Sequence, residues 1–294
     1  MSESAVKQAP AYRRLTSDDL AAAHGLSVAV RWPHRAEDWR FMADAGTGFV
    51  AEDNGVVIGT ALCWKFGTDR GTLGLVIVSP DEQGRGIGRK LMELVLEELG
   101  TRVTFLHATP AGKPLYEKLG FVTCGSIDQH QGTIGNVVAV TPPAGETFRP
   151  MTRDDLPKLT ELASRASGLD RSAVMPALLD IAEGVVLERD GELLGFSLFR
   201  RFGRGHVIGP VIATESPDAM RAKALITYWL AKNAGEFVRM DVPGGTGIND
   251  WLVALGMAHV DAVVKMVRNA PAHEHDNAPD ATYRAFGIIN QAMA

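Results

Sequence analysis

The chain holds only two cysteines, Cys63 and Cys124, among 294 residues. Two thiols cannot build a disulfide framework, and so low a count fits a reducing cytoplasm. No run of about 18 uncharged apolar residues is present, so no stretch reads as a membrane-spanning helix. The opening residues 1–7 lack the apolar core of a secretory signal. A cationic surplus is missing too. The formal net charge is −5, which excludes a chain built mainly to coat nucleic acid or anionic lipid. Gly 31 and Pro 15 leave no room for low complexity, and 46% hydrophobic with 22% charged residues suits ordinary cores. At roughly 150 residues per domain the expectation is a cytoplasmic protein of two domains.

The two halves are one pattern written twice. Residues 12–20, YRRLTSDDL, recur as residues 148–156, FRPMTRDDL, which places Thr152 136 positions after Thr16. The same shift carries Glu52, Gly55, Gly59, Leu62, Phe66 and Gly67 onto Glu188, Gly191, Gly195, Leu198, Phe202 and Gly203, and Leu119-Gly120 onto Leu255-Gly256. Blocks this far apart at one shift indicate a tandem repeat. The stretch 141–146, with two prolines and a glycine, reads as a linker. The expected domains are therefore 1–144 and 145–270, followed by a linker and tail over 271–294.

Within the first copy, residues 11–15 predict a short strand, and Thr16 or Ser17 predicts a helix cap. Asn54-Gly55 between apolar runs predicts a hairpin. Residues 71–78 and 103–108 predict central strands, and a helix follows Gly88 and stops at Gly100. A short helix to Leu119 comes next, and strands from Phe121 and over 134–140 complete the sheet. The predicted fold class is α/β, a mixed α+β sheet with helices on both faces, formed twice.

The most informative segment is residues 75–88, LVIVSPDEQGRGIG. A buried strand enters a glycine-dense turn that opens a helix. Gly84, Gly86 and Gly88 let backbone approach a ligand, and first-turn amides lack intrahelical partners. Such a helix mouth suits a pyrophosphate. The spacing is not that of a dinucleotide fold, and Gly88-Arg89-Lys90 lacks the Lys-Ser/Thr of a Walker loop.

The segment resembles the acetyl-CoA motif of the GCN5-related N-acetyltransferase (GNAT) family, Gln/Arg-x-x-Gly-x-Gly/Ala after a fourth strand. Gln83, Gly86 and Gly88 occupy its fixed positions. Residues 107–121 are similar to the family's fifth strand and following helix, ending in Tyr116-x-x-x-Gly120-Phe121. The second half is similar to the partner domain of tandem, YitH-like members. The resemblance implies two tandem GNAT folds. Backbone groups of Val76, Ile77 and Val78 would line the pantetheine arm. Amides of Gln83, Gly84, Arg85, Gly86, Ile87 and Gly88 would hold the pyrophosphate, with the Arg85 or Arg89 side chain near the 3′-phosphate. Tyr116 would protonate the leaving thiolate.

No acidic residue stands in the strand 73–78 to serve as base, which leaves His34, Asp38 and Glu52 as candidates, or an ordered water chain in place of any of them. His34 is preferred as the catalytic group because a histidine titrates near neutral pH. Trp32 and Trp39, with Glu52, form the candidate acceptor site, since aromatic walls suit a small ligand. His107 alternates with Val103 and Phe105 and reads as facing a core or a helix. His273 and His275 lie in a polar linker, and no metal is expected.

Mapped at 136, residues 83–88 fall on Ala219-Met220-Arg221-Ala222-Lys223-Ala224 and Tyr116 falls on Leu252. The second copy is thus expected to be degenerate, and the tail over 281–294 is apolar enough to dock on a domain. The implied activity is transfer of acetyl from acetyl-CoA to a small-molecule amine, by direct attack in a ternary complex of a monomer or homodimer. A protein or peptide N-acetyltransferase and a non-catalytic CoA-binding sensor are the alternatives.

Overall fold

The computed structural model describes residues 9–271 and 280–293. They form two compact units. The first comprises the described residues up to Trp64 together with Leu73–Gly100, and the second comprises Lys65–Thr72 with the described residues from Thr101 onward.

In the first unit β1 (Ala11–Arg14), β2 (Thr47–Asp53) and the greater parts of β3 (Val56–Phe66) and β4 (Arg70–Val78) lie in that order. The turn between β2 and β3 is set by Asn54 (φ 52°) and Gly55 (φ 81°), the two positive φ values a two-residue hairpin requires. Helices α1 (Leu20–Ala29), α2 (Ala36–Asp44) and α3 (Ile87–Leu99) complete the unit. Ile87, Leu91, Val95 and Leu99 recur every fourth residue along α3 and are all buried, which fixes the face it turns to the sheet. Gly59 is required where β3 passes under α3, because a Cβ there would stand 3.1 Å from both the Ile77 carbonyl and Leu91.

The second unit contains β5 (Val103–Ala108), α4 (Lys113–Lys118), β6 (Val122–Thr133), β7 (Thr147–Pro150), α5 (Leu156–Ser167), α6 (Met175–Asp180), β8 (Glu183–Arg189), β9 (Glu192–Phe202) and β10 (Gly205–Thr214). It continues through α7 (Met220–Lys232), β11 (Phe237–Pro243), α8 (Asn249–Ala254), β12 (Ala258–Arg268) and β13 (Tyr283–Gly287). Its sheet runs β5-β12-β6-β11-β10-β9-β8-β7.

That order is a reciprocal exchange of strands. By the repeat, β11 and β12 are the counterparts of β5 and β6. Yet β5 pairs with β12 (Ala108 opposite Val264) and β11 pairs with β6 (Met240 opposite His130), while β6 and β12 pair with each other. Each copy's final strand thus completes the other copy's sheet. This explains why compactness divides the chain elsewhere than the repeat does, and it leaves no place for a strand over 134–140. Those residues are not a strand; Ile134 and Val140 instead donate amide hydrogen bonds to the Glu236 carbonyl and the Thr227 hydroxyl. The stretch before β7 is also tied down, since Glu146 is buried and paired with Arg189 and Arg221.

An isolated 1–144 fragment exposes both edges that β12 and β11 cover. It is expected to be insoluble or to lack a cooperative melt, whereas the full chain melts cooperatively; circular dichroism of the two reads the difference.

Candidate active site

In the first unit β4 carries an unusual backbone feature ahead of the glycine turn. Leu75 has φ 52°, a left-handed conformation that costs a branched residue of order 1–3 kcal/mol. Its carbonyl accepts a 2.8 Å hydrogen bond from the buried Thr60 hydroxyl on β3, which holds the kink. The kink re-aims the backbone of Val76, Ile77 and Val78 as a bulge does. No property of leucine announces it, so the sequence offers no signal for this feature.

Beyond Val78 the chain makes one short 3-10 turn over Pro80–Glu82 and reaches Gly84 (φ 82°) and Gly86 (φ 77°) before α3. A Cβ at either glycine would meet no atom within 4 Å. These glycines are needed for their φ, and the space above them is open. The α3 N-terminus receives no side-chain cap, and its first backbone bond is Lys90 N–H to Gly86 carbonyl at 3.1 Å. The amides of Ile87, Gly88 and Arg89 therefore face outward at the positive end of a 13-residue helix. The donor set fits a diphosphate.

The side chains around this mouth are committed elsewhere. Gln83 Nε2 donates to the Val78 carbonyl at 3.3 Å, tying the turn to the strand. Arg85 is paired with Glu82 and, at 3.3 Å, with Asp53, so only its backbone amide is positioned for a ligand. Arg89 Nε donates to Glu93 at 3.1 Å.

The tryptophan segment is partly gathered. The His34 ring meets Trp32 edge-on at 5.9 Å and Trp39 at 6.5 Å. Trp32 and His34 are half-buried. Trp39 is fully buried, and its indole N–H donates to Ser27 Oγ at 2.6 Å, so it supports the wall from the core rather than presenting a face to a ligand. Asp38 is also withdrawn, accepting from the Arg35 backbone and guanidinium at the start of α2.

Glu52 stands in a structural triad. Arg13 donates to Glu52 at 2.6 Å and to Asp19 at 2.7 Å, and Asp19 accepts the Thr16 amide at 2.8 Å. The second copy repeats this with Arg149, Glu188, Asp155 and Thr152. A network kept in both copies braces the first strand against the first helix. The Arg13 hydrogen bonds hold the Asp19 carboxyl at about 2, and Arg149 does the same for Asp155. Because these values are lowered, the stabilisation is present above about pH 4, the unfolded carboxyl value, and is lost as pH falls through about 2. Asp19→Asn is expected to cost roughly 1–2 kcal/mol in urea unfolding at pH 7 and to flatten the acid loss. Glu52→Gln is expected to change stability by under about 1 kcal/mol and to leave the KM of the amine unchanged; a raised KM with unaltered stability contradicts the structural role.

In the second unit Tyr116 lies on α4, mostly buried, with its ring edge-on to Phe121 at 6.2 Å. Gly112 is needed beneath it, because a Cβ would lie 3.0 Å from the ring. Burial pushes the phenol up to about 12, so it keeps its proton at neutral pH. The helix ends with Phe121 N–H donating to the Tyr116 carbonyl at 3.1 Å. In α8 the same bond joins Met257 to Leu252 at 3.0 Å, with leucine where the phenol stood.

The rest of the second copy departs from the first by deletion more than by substitution. Residues 79–86 separate β4 from α3, but only 215–219 separate β10 from α7, three fewer. The structural counterpart of Gly86 is thus Ala219 (φ 51°), and the expected match of residues 83–88 to 219–224 is corrected by that gap. The shortened mouth is plugged by its own side chain, since Ser216 Oγ accepts the Arg221 amide at 3.1 Å. Farther along, β13 pairs with Val211–Thr214 of β10, the counterparts of Leu75–Val78. The chain's own tail therefore pairs with this stretch of β10, which is the docking expected of that tail.

Among the described residues no helix is long and apolar enough to cross a membrane, and no cluster of three or more His, Cys, Asp or Glu is gathered. His273 and His275 lie outside the described residues.

Comparison with known proteins agrees with this duplicated geometry. Residues 13–121 match the model of the "Acetyltransferase (GNAT) family" and residues 159–279 that of an "Acetyltransferase (GNAT) domain". The chain belongs to the GNAT family of acetyltransferases, as a tandem member. It is 28% identical over 226 residues to the uncharacterized N-acetyltransferase YitH of Bacillus subtilis, covering 76% of each chain. Two solved structures share its fold. The GCN5-related N-acetyltransferase of Sphaerobacter thermophilus superposes with a TM-score of 0.66 at 16% identity, over 89% of this chain and 96% of that one. A tandem GNAT protein from the clavulanic acid biosynthesis pathway gives 0.63 at 15% identity, over 90% and 99%. The chain is an acyltransferase with a mixed α/β fold.

Proposed function

We propose that the first copy, residues 1–144, transfers acetyl from acetyl-CoA to the amine of a small molecule by direct attack in a ternary complex. The observation that carries this reading is the uncapped mouth of α3 between two positive-φ glycines, at the end of a strand kinked at Leu75. Amides from Gln83 to Gly88 would hold the diphosphate, and backbone of Val76, Ile77 and Val78 would line the pantetheine arm. An amide near Val78 would donate to the thioester oxygen as charge builds there. His34, wedged between indoles, would take the proton of the amine, with Trp32 as one wall of the acceptor site. The amine nitrogen bonds to the carbonyl carbon, the carbon–sulfur bond breaks, and Tyr116 would give the departing sulfur its proton.

The second copy, residues 145–270 with the tail to 294, has a plugged helix mouth and a filled strand edge, and it would act by completing the sheet rather than by binding a second acetyl-CoA. A thiol-release assay with acetyl-CoA against amines, amino acids, amino sugars and N-terminal peptides tests the reading. Release with small amines and none with peptides is expected. Tight binding without release by any acceptor overturns it.

A further inference from the structure

A cavity of about 610 Å³ lies wholly within the second unit, a volume suited to a small ligand. Part of its lining is a row across three paired strands. His107 on β5 stands opposite Lys265 on β12, and Lys265 stands opposite Gly125 on β6; all three line the cavity. Residues paired this way in an antiparallel sheet have Cβ atoms about 4.5–5.5 Å apart, so the imidazole and the amine are neighbours on one face. Gly125 adds no side chain, which leaves the third place in the row open. A Cβ there would lie 3.8 Å from the Lys265 Cβ and would begin to fill it. Phe105, two residues before His107, supplies an aromatic wall, and the Lys265 Nζ sits 5.0 Å over its ring.

His107 is an acceptor in search of a donor. Its Nδ1 lies 2.7 Å from the Gln291 carbonyl, which can only accept, so Nδ1 carries the proton and Nε2 offers its lone pair. That nitrogen is buried and makes no hydrogen bond among the described residues, a costly state for a buried polar atom. Burial keeps the imidazole neutral at pH 7, with its pKa lowered to about 4. Lys265 is the matching donor. Among the described residues no hydrogen bond or ion pair reaches its Nζ, and burial holds it below the usual lysine range. Charged or neutral, the amine has N–H groups to give.

An acceptor and a donor side by side select a ligand edge on which N–H and C=O are adjacent. A carboxylate placed on Lys265 would turn its second oxygen toward the lone pair of His107 Nε2, which repels it. A carboxamide turns an N–H there instead. A protonated amine satisfies His107 but meets the Lys265 ammonium as a like charge. The cavity's guanidinium groups are engaged by the protein itself, Arg284 with Glu215 at 2.6 Å and Arg171 with the Met293 carbonyl at 2.7 Å.

We propose that this cavity binds a small uncharged molecule through an amide edge, a primary carboxamide or a lactam, with its N–H on His107 Nε2 and its carbonyl on Lys265 Nζ.

The test is calorimetric titration of the full chain at pH 7 with benzamide, nicotinamide, 2-pyridone and uracil. Each is run beside its fully N-methylated derivative, which lacks the N–H, and beside benzoate and nicotinate. No acetyl donor is present, so the result is independent of the transfer reaction. At least one amide is expected to give saturable heat, with its N-methylated derivative and both acids weaker by about ten-fold or more. Lys265→Met, which keeps the stem over Phe105, and His107→Phe are each expected to lose about ten-fold or more in affinity for that amide. No saturable heat from any of the four, an N-methylated derivative or an acid that binds as tightly, or unchanged affinity in either folded variant overturns the proposal. If both variants fail to fold, a crystal structure of the unaltered chain with the tightest amide decides. The amide lying on the His107–Lys265 pair supports the proposal, and the amide lying elsewhere overturns it.

Discussion

Gly86→Val is expected to raise the dissociation constant of acetyl-CoA by roughly 100-fold or more, measured by calorimetry. Two effects act together. A β-branched side chain at φ 77° is strained by of order 1–3 kcal/mol, and its bulk stands over the outward amides of Ile87 and Gly88. A Cβ here meets no protein atom within 4 Å, so the fold itself is not crowded and the melting temperature should fall by only a few degrees. Gly86→Ala separates the two effects. It keeps most of the backbone strain without the bulk, and its loss of affinity should be several-fold smaller. Equal losses in both variants would assign the effect to strain alone.

Tyr116→Phe is expected to lower kcat by about 10²–10³-fold while the KM of acetyl-CoA stays within about two-fold. Phenylalanine fills the same space beside Gly112 and Phe121, so packing is kept and only the proton is removed. The sign of the pH effect follows from burial. With its pKa raised to about 12, the phenol stays protonated throughout the working range, and the unaltered enzyme should show no alkaline loss of rate from this group below about pH 10. Unchanged turnover in the variant removes Tyr116 from the chemistry.

The parts of the fold that were legible in the sequence are those set by local chemistry. Asn54-Gly55 fixed a hairpin because both residues tolerate positive φ, and the fourfold apolar stripe of α3 fixed its buried face. The repeat showed that the architecture occurs twice. What stayed hidden depends on distant partners. Residues 134–140 are apolar enough to read as a strand, but the edges beside β5 and β6 are taken by β12 and β11 from the other copy. The kink at Leu75 is imposed by the sheet and held by Thr60, against the preference of leucine. Trp39 and Glu52 have residue types suited to a ligand site, yet their partners, Ser27 and Arg13, show one as core and the other as a brace. The loss of the second helix mouth was visible as missing glycines, while its cause, a three-residue deletion and a serine cap, needed the helix boundaries.

The central claim is that one helix mouth, and only that of the first copy, grips the diphosphate of acetyl-CoA. Its most direct measurement is the binding stoichiometry from calorimetric titration of the full chain with acetyl-CoA, repeated with Gly86→Val. One molecule bound per chain, with that heat abolished by Gly86→Val, is the expected result. Two molecules per chain, or a single one that survives Gly86→Val unweakened, would contradict it.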